Sequence, residues 1–137
     1  MNRYSSNDRD EIMEYRLEIE EYESRKILHV YMSGAMTDKE RVNMGKESTR
    51  KCRENNINKL IFDIREADLS YALVDSHRAV LNLSELGMTK NDFAAVIYSH
   101  NKEQLEHARN VAYNRGVFNI NFFQNLEEGI AWLTSRG

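Results

Sequence analysis

Asp63, Arg65 and Asp68 are the residues whose types and spacing most readily suggest chemistry. They close or follow the apolar run Leu60-Ile-Phe62. That puts them at the C-terminal end of a strand, the edge where ligand sites of open α/β sheets gather. An aspartate there can accept a phosphoryl group or clamp a ligand. It can equally accept hydrogen bonds from the loop amides that follow, with Arg65 as a surface partner, and that plainer reading is preferred. Asn114-Arg115-Gly116 is the sharpest polar word. Arg115 could bind an anion or a partner carboxylate. A helix C-terminus explains the word more simply: Gly116 supplies positive φ, and Arg115 complements the helix dipole.

Other reactive residue types form no constellation. His100 and His107 are seven apart, whereas a shared zinc ion wants a spacing of three or four on a helix. His29 stands in an apolar strand and reads as a hydrogen-bonded core residue. Cys52 is the sole cysteine, so there is no disulfide framework, and on a helix it reads as a small packed residue. The six glycines are scattered and make no phosphate-cradling loop. No catalytic residue, metal or cofactor is assigned.

The elements that must position these groups follow from periodicity. Tyr15 to Glu21 alternates strictly, as a half-buried strand does, with Arg16, Glu18 and Glu20 on its wet face. Glu23-Ser24-Arg25 is a polar turn, and Lys26 to Ser33 is a nearly all-apolar strand covered on both faces. So short a turn makes the pair antiparallel. Thr37 to Glu40 is a capping box opening a helix to about Asn55, with the weak stripe Met44, Ser48, Cys52. Lys59 to Arg65 is a strand, and 66–70 a polar loop. Ser70 caps a helix carrying Leu73, His77, Val80 and Leu81 that stops near Gly87. A strand over 92–98 and a helix from Asn101 to Gly116 follow, with Leu105, Ala108 and Ala112 inward. A strand over 117–123 and a helix capped by Asn125, with Leu126, Ile130 and Leu133 inward, end the chain. The order is β-β-α-β-α-β-α-β-α. It predicts an α/β domain over 14–137 with a mostly parallel sheet of about five strands, one antiparallel hairpin and about four helices. Residues 1–13 read as a flexible polar tail.

Composition narrows the function classes. Hydrophobic residues make up 41 % and charged residues 30 %, the balance of a soluble globular protein. The net charge of −3, with basic and acidic residues interleaved, argues against nucleic acid. No apolar run approaches a membrane span. With a lone cysteine, a cytoplasmic setting is the default expectation.

Three words in this order resemble the STAS fold of anti-anti-sigma factors and of the cytoplasmic tails of sulfate transporters: Leu60 to Arg65, Ala112 to Gly116, and Phe122-Phe123 followed by Glu127 to Leu133. The closer likeness is to the SpoIIAA-like, or STAS/SEC14, small uncharacterised bacterial proteins. It spans roughly residues 15–134. The resemblance implies a regulatory or protein-binding module without chemistry of its own, with a protein partner or a second copy of the chain as a homodimer. The expected binding surface runs over Asp63, Arg65, Asp68, Ser70 and Ser76, with Asn114 and Arg115. Phosphorylatable members present Asp-Ser-Ser-Gly at a helix start. Asp75-Ser76-His77-Arg78 echoes that word only in its first two residues. Ser76, or Ser70 at its helix N-terminus where phosphate is electrostatically favoured, is the candidate modification site. The alternative is a carrier or sensor of a small apolar, lipid-like ligand held between the sheet and the last two helices, where Tyr113, Phe118, Phe122, Phe123 and Trp132 cluster. An enzyme using Asp63 with Arg115 or His77 ranks third.

Overall fold

The computed structural model describes residues 14–35, 38–68, 87–98, 102–114, 116–117 and 119–136. Five strands form one sheet in the sequential order β1 (Glu14–Tyr22), β2 (Arg25–Ala35), β3 (Lys59–Asp68), β4 (Phe93–Ile97) and β5 (Ile120–Phe123). β1 and β2 pair antiparallel, and every later pair is parallel. The hairpin loop is Glu23-Ser24, both at positive φ, the backbone hand that joins twisted strands through two residues. Three helices are described: α1 (Asp38–Glu54), α2 (Lys102–Asn114) and α3 (Leu126–Thr134). The fourth expected helix, over 70–86, and the Thr37 cap lie outside the described residues.

The parallel strands all step in one direction across the sheet. Right-handed crossovers therefore deliver α1 and α2 to the same face. Met44 and Cys52 of α1 and Leu105 of α2 pack there with Leu28, Val30, Leu60, Phe62 and Val96. The stripe Met44, Ser48, Cys52 is fully buried, not lightly covered as its composition suggests. Ser48 lets this happen by returning its hydroxyl to the Met44 carbonyl at 2.7 Å.

Among the described helices, α3, after the last strand, lies on the opposite face. It has nine residues. Gly129 lets it lie close, because a β-carbon there would strike Ile97 Cδ1 at 2.6 Å. Leu133 packs with Ile27, Ile61, Ala95, Ile97 and Phe123.

The caps match expectation. Asn125 accepts from the Glu128 amide at 2.9 Å. At the end of α2, Val117 N–H bonds to the Ala112 carbonyl and Gly116 N–H to that of Tyr113, with Gly116 at φ +74°. This is a Schellman cap with its hydrophobic contact between Val117 and Ala112. Two boundaries differ from the sequence reading. β5 begins at Ile120, because the cap takes up Gly116 and Val117. β3 runs through Glu66 to Asp68, read above as a loop, because Ser33 to Ala35 of the long β2 gives those polar residues a pairing partner.

Candidate functional site

On the α3 face of the sheet, β1 to β3 carry a chain of charged side chains. Glu20, His29 and Asp63 come from three successive strands, and Arg65 lies two residues beyond Asp63. His29 has no exposed surface. Its Nδ1 lies 2.8 Å from Glu20 Oε1 and its Nε2 lies 3.1 Å from Asp63 Oδ2. Ionised carboxylates only accept hydrogen bonds. Bonding through both nitrogens therefore requires an N–H on each, the imidazolium form. Arg65 closes the chain: Nε donates to Asp63 Oδ1 at 2.8 Å and Nη2 to Oδ2 at 2.6 Å. Charges alternate from Glu20 to Arg65 and sum to zero.

A backbone irregularity lies beside the Asp63–Arg65 pair, whose members share a face of β3 two residues apart. Tyr31 faces Asp63 and Ser33 faces Glu66, so β3 spends one more residue than β2 across this step. Such a bulge bends the strand and re-aims its side chains. Level with Asp63, β4 ends at Ile97. Beyond that point β3 has no described strand on its β4 side, while β1 accompanies β2 as far as Ser33 and β2 and β3 pair on to Ala35 and Asp68 as an arm.

Tyrosines finish the other end. Tyr22 donates to Glu20 Oε1 at 2.7 Å and Tyr31 to Oε2 at 2.8 Å. The Tyr31 ring stacks on His29, with centroids 3.8 Å apart, and Arg16 lies over it at 4.2 Å. Burial works to raise the carboxyl of Asp63, but the bonds from Arg65 and His29 outweigh it and hold the group well below the usual carboxylate range. Burial likewise opposes ionisation of Glu20, and the bonds from Tyr22, Tyr31 and His29 win, lowering it. Burial and the Glu20 charge push both Tyr22 and Tyr31 up to about 12. Each group is held in one protonation state across the neutral range.

The sequence-derived surface divides here. Asp63 and Arg65 come together, but mid-strand and not at a strand end, and Asp63 spends its oxygens on side chains more than on loop amides. The Asp68 backbone pairs with Ala35 at the tip of the arm. Asn114 closes α2, which runs back from the end of β4 to the start of β5, so it stands at the opposite edge of the sheet from the arm. Ser70, Ser76 and Arg115 lie outside the described residues. His29 and Glu20 were missed as members of the site. Glu20 was placed on a wet face. His29 was read correctly as a bonded core residue, and a histidine inside an apolar strand was the available signal that a carboxylate must meet it. Among the aromatics, Phe123 packs under α3 against Trp132 of that helix, Phe122 packs under α2 on the other face, and Tyr113 is 71 % exposed. The last two helices thus lie on opposite faces of the sheet.

No protein-family model matches the chain, and no curated protein matches it. Among solved structures, the chain is similar to an uncharacterized protein of the DUF3478 family from Shewanella loihica PV-4. The TM-score is 0.60 at 22 % identity, over 95 % of this chain and 98 % of that one. That protein has a SpoIIAA-like fold. The fold of this chain is SpoIIAA-like, as the three sequence words imply. No helix among the described residues is long and apolar enough to cross a membrane.

Proposed function

We propose that the chain is a STAS-type binding module, and that a protein partner docks on the β2–β3 arm with Arg65 as its fixed charged contact. The observation that carries this reading is the locked charge chain. Its two carboxylates are held ionised by their bonds, which suits positioning better than proton transfer. Arg65, with its side chain 37 % exposed, is held by a buried carboxylate that is itself backed by His29 and Glu20. A guanidinium fixed in this way binds a carboxylate with little ordering cost. The arm beside it is an extended edge of the sheet, a shape that meets another protein more naturally than it encloses a small molecule.

A photo-crosslinking residue at Glu66 tests this in the native cell. One discrete adduct should form, should not form from the same residue at Glu103 on α2, and should vanish with Arg65→Ala. Equal adducts from both positions, or an adduct indifferent to Arg65, would overturn it.

A further inference from the structure

At the other end of the same sheet face, Lys59 opens β3. The residue is 5 % exposed, yet its ammonium has a single polar contact among the described residues, 3.4 Å to Asn58 Oδ1. Two of its three donors face no acceptor. Buried ammonium groups are otherwise paired or bonded, and one short of partners calls for an explanation, a bound water or ion among them. Its neighbours are cations. Arg25, at the start of β2, directs Nη1 to the carbonyls of Thr134 and Arg136 at the end of α3. Its remaining nitrogens meet no acceptor among the described residues. Arg136 lies over the Trp132 ring at 4.9 Å. No carboxylate among the described residues forms an ion pair with Lys59, Arg25 or Arg136. Burial, reinforced by Arg25, lowers the basicity of Lys59, as expected of a cation without its counter-charge. Asn58 and Arg25 are exposed, so the ammonium sits just beneath the surface.

We propose that Lys59, with Arg25 beside it, forms a binding site for a small oxyanion, a carboxylate or phosphate group, at the N-terminal edge of the sheet. The ammonium supplies a buried point charge, and Arg25 supplies its unused N–H donors. Arg25 also neutralises the carbonyl end of α3, which would otherwise repel an anion. This site lies at the opposite edge from the β2–β3 arm and does not depend on the function proposed for the arm.

The test titrates inorganic phosphate, and separately acetate, into the full chain at constant ionic strength set with chloride. The readouts are the melting temperature and the Lys59 side-chain NMR resonance. One of the two anions should raise the melting temperature saturably and move the Lys59 resonance. Lys59→Met should weaken that binding by at least about tenfold, the worth of a hydrogen bond to a charged group. If Lys59→Met does not fold, Arg25→Gln with the wild-type Lys59 resonance gives the same decision. No movement of the resonance with either anion, or full binding to Lys59→Met, overturns the proposal. A chain lengthened past Gly137 by two glycines should respond alike. A response confined to the lengthened chain would make the terminal carboxylate the occupant and overturn the proposal of an external ligand.

Discussion

Two buried cations lie on one face of one sheet, on neighbouring strands, and have opposite surroundings. His29 stands between two carboxylates and meets an acceptor at each nitrogen. Lys59, four residues before Asp63 on the next strand, meets one amide oxygen and no carboxylate. The first charge is complete within the chain and organises three strands. The second is incomplete, so its counter-charge must come from outside the described chain. A buried charge is thus read by its partners more than by its burial: a full set of partners points to architecture, and a missing one points to a ligand.

Replacing each cation by an apolar side chain breaks the comparison most directly. His29→Leu leaves Glu20 and Asp63 facing each other without the bridge. Stability should fall by about 3 kcal/mol, read as a lower urea midpoint. In anion-free buffer Lys59→Met removes an unmet charge and keeps the apolar stem, so stability should rise by about 1 kcal/mol. A loss in Lys59→Met as large as that in His29→Leu would show that Lys59 is paired after all.

Acid and alkali separate the two regions further. The folded-state values of Asp63 and Glu20 are lowered. Their contribution is therefore complete above the unfolded carboxylate values and is lost as pH falls through the folded ones. Wild type should weaken on acidification, and Asp63→Asn should weaken less steeply. Lys59 is also lowered, but for a base the sign reverses. Its cost is present at neutral pH and eases as pH rises toward its ordinary value of 10.5. The gap between Lys59→Met and wild type should narrow over that alkaline range. Tyr22 and Tyr31, raised to about 12, act oppositely on both proteins, and stability should fall between pH 10 and 12. The smallest effect belongs to the rim. Arg16 and Glu18 form an exposed pair, and Arg16→Gln should change stability by less than about 0.5 kcal/mol. A larger loss would mean that stacking of Arg16 on Tyr31 belongs to the core of the cluster.

Much of the architecture was legible because it is local. Alternation from Tyr15 to Glu21 announced a half-buried strand, the short polar turn after it made its pairing antiparallel, and Asn125 and Gly116 marked a helix start and a helix end through bonds within a few residues. The site was half legible. Asp63 and Arg65 are near neighbours in sequence, two residues apart on one face of a strand. Glu20 and His29 belong to the same cluster, but strand register brought them there, across separations of nine and 34 residues. Lys59 carried no sequence signal, because a lysine opening a strand is ordinarily solvated.

The sequence by itself determined the elements, their order and the caps, because hydrophobic period and backbone hydrogen bonding are settled over a few residues. The tertiary structure alone decided which charges are paired. Of the described helices, the crossovers placed two on one face, and α3 lies on the other. Strand register on the α3 face fixed where Glu20, His29, Asp63 and Arg65 must satisfy one another, and where Lys59 is buried without a carboxylate among the described residues to meet it.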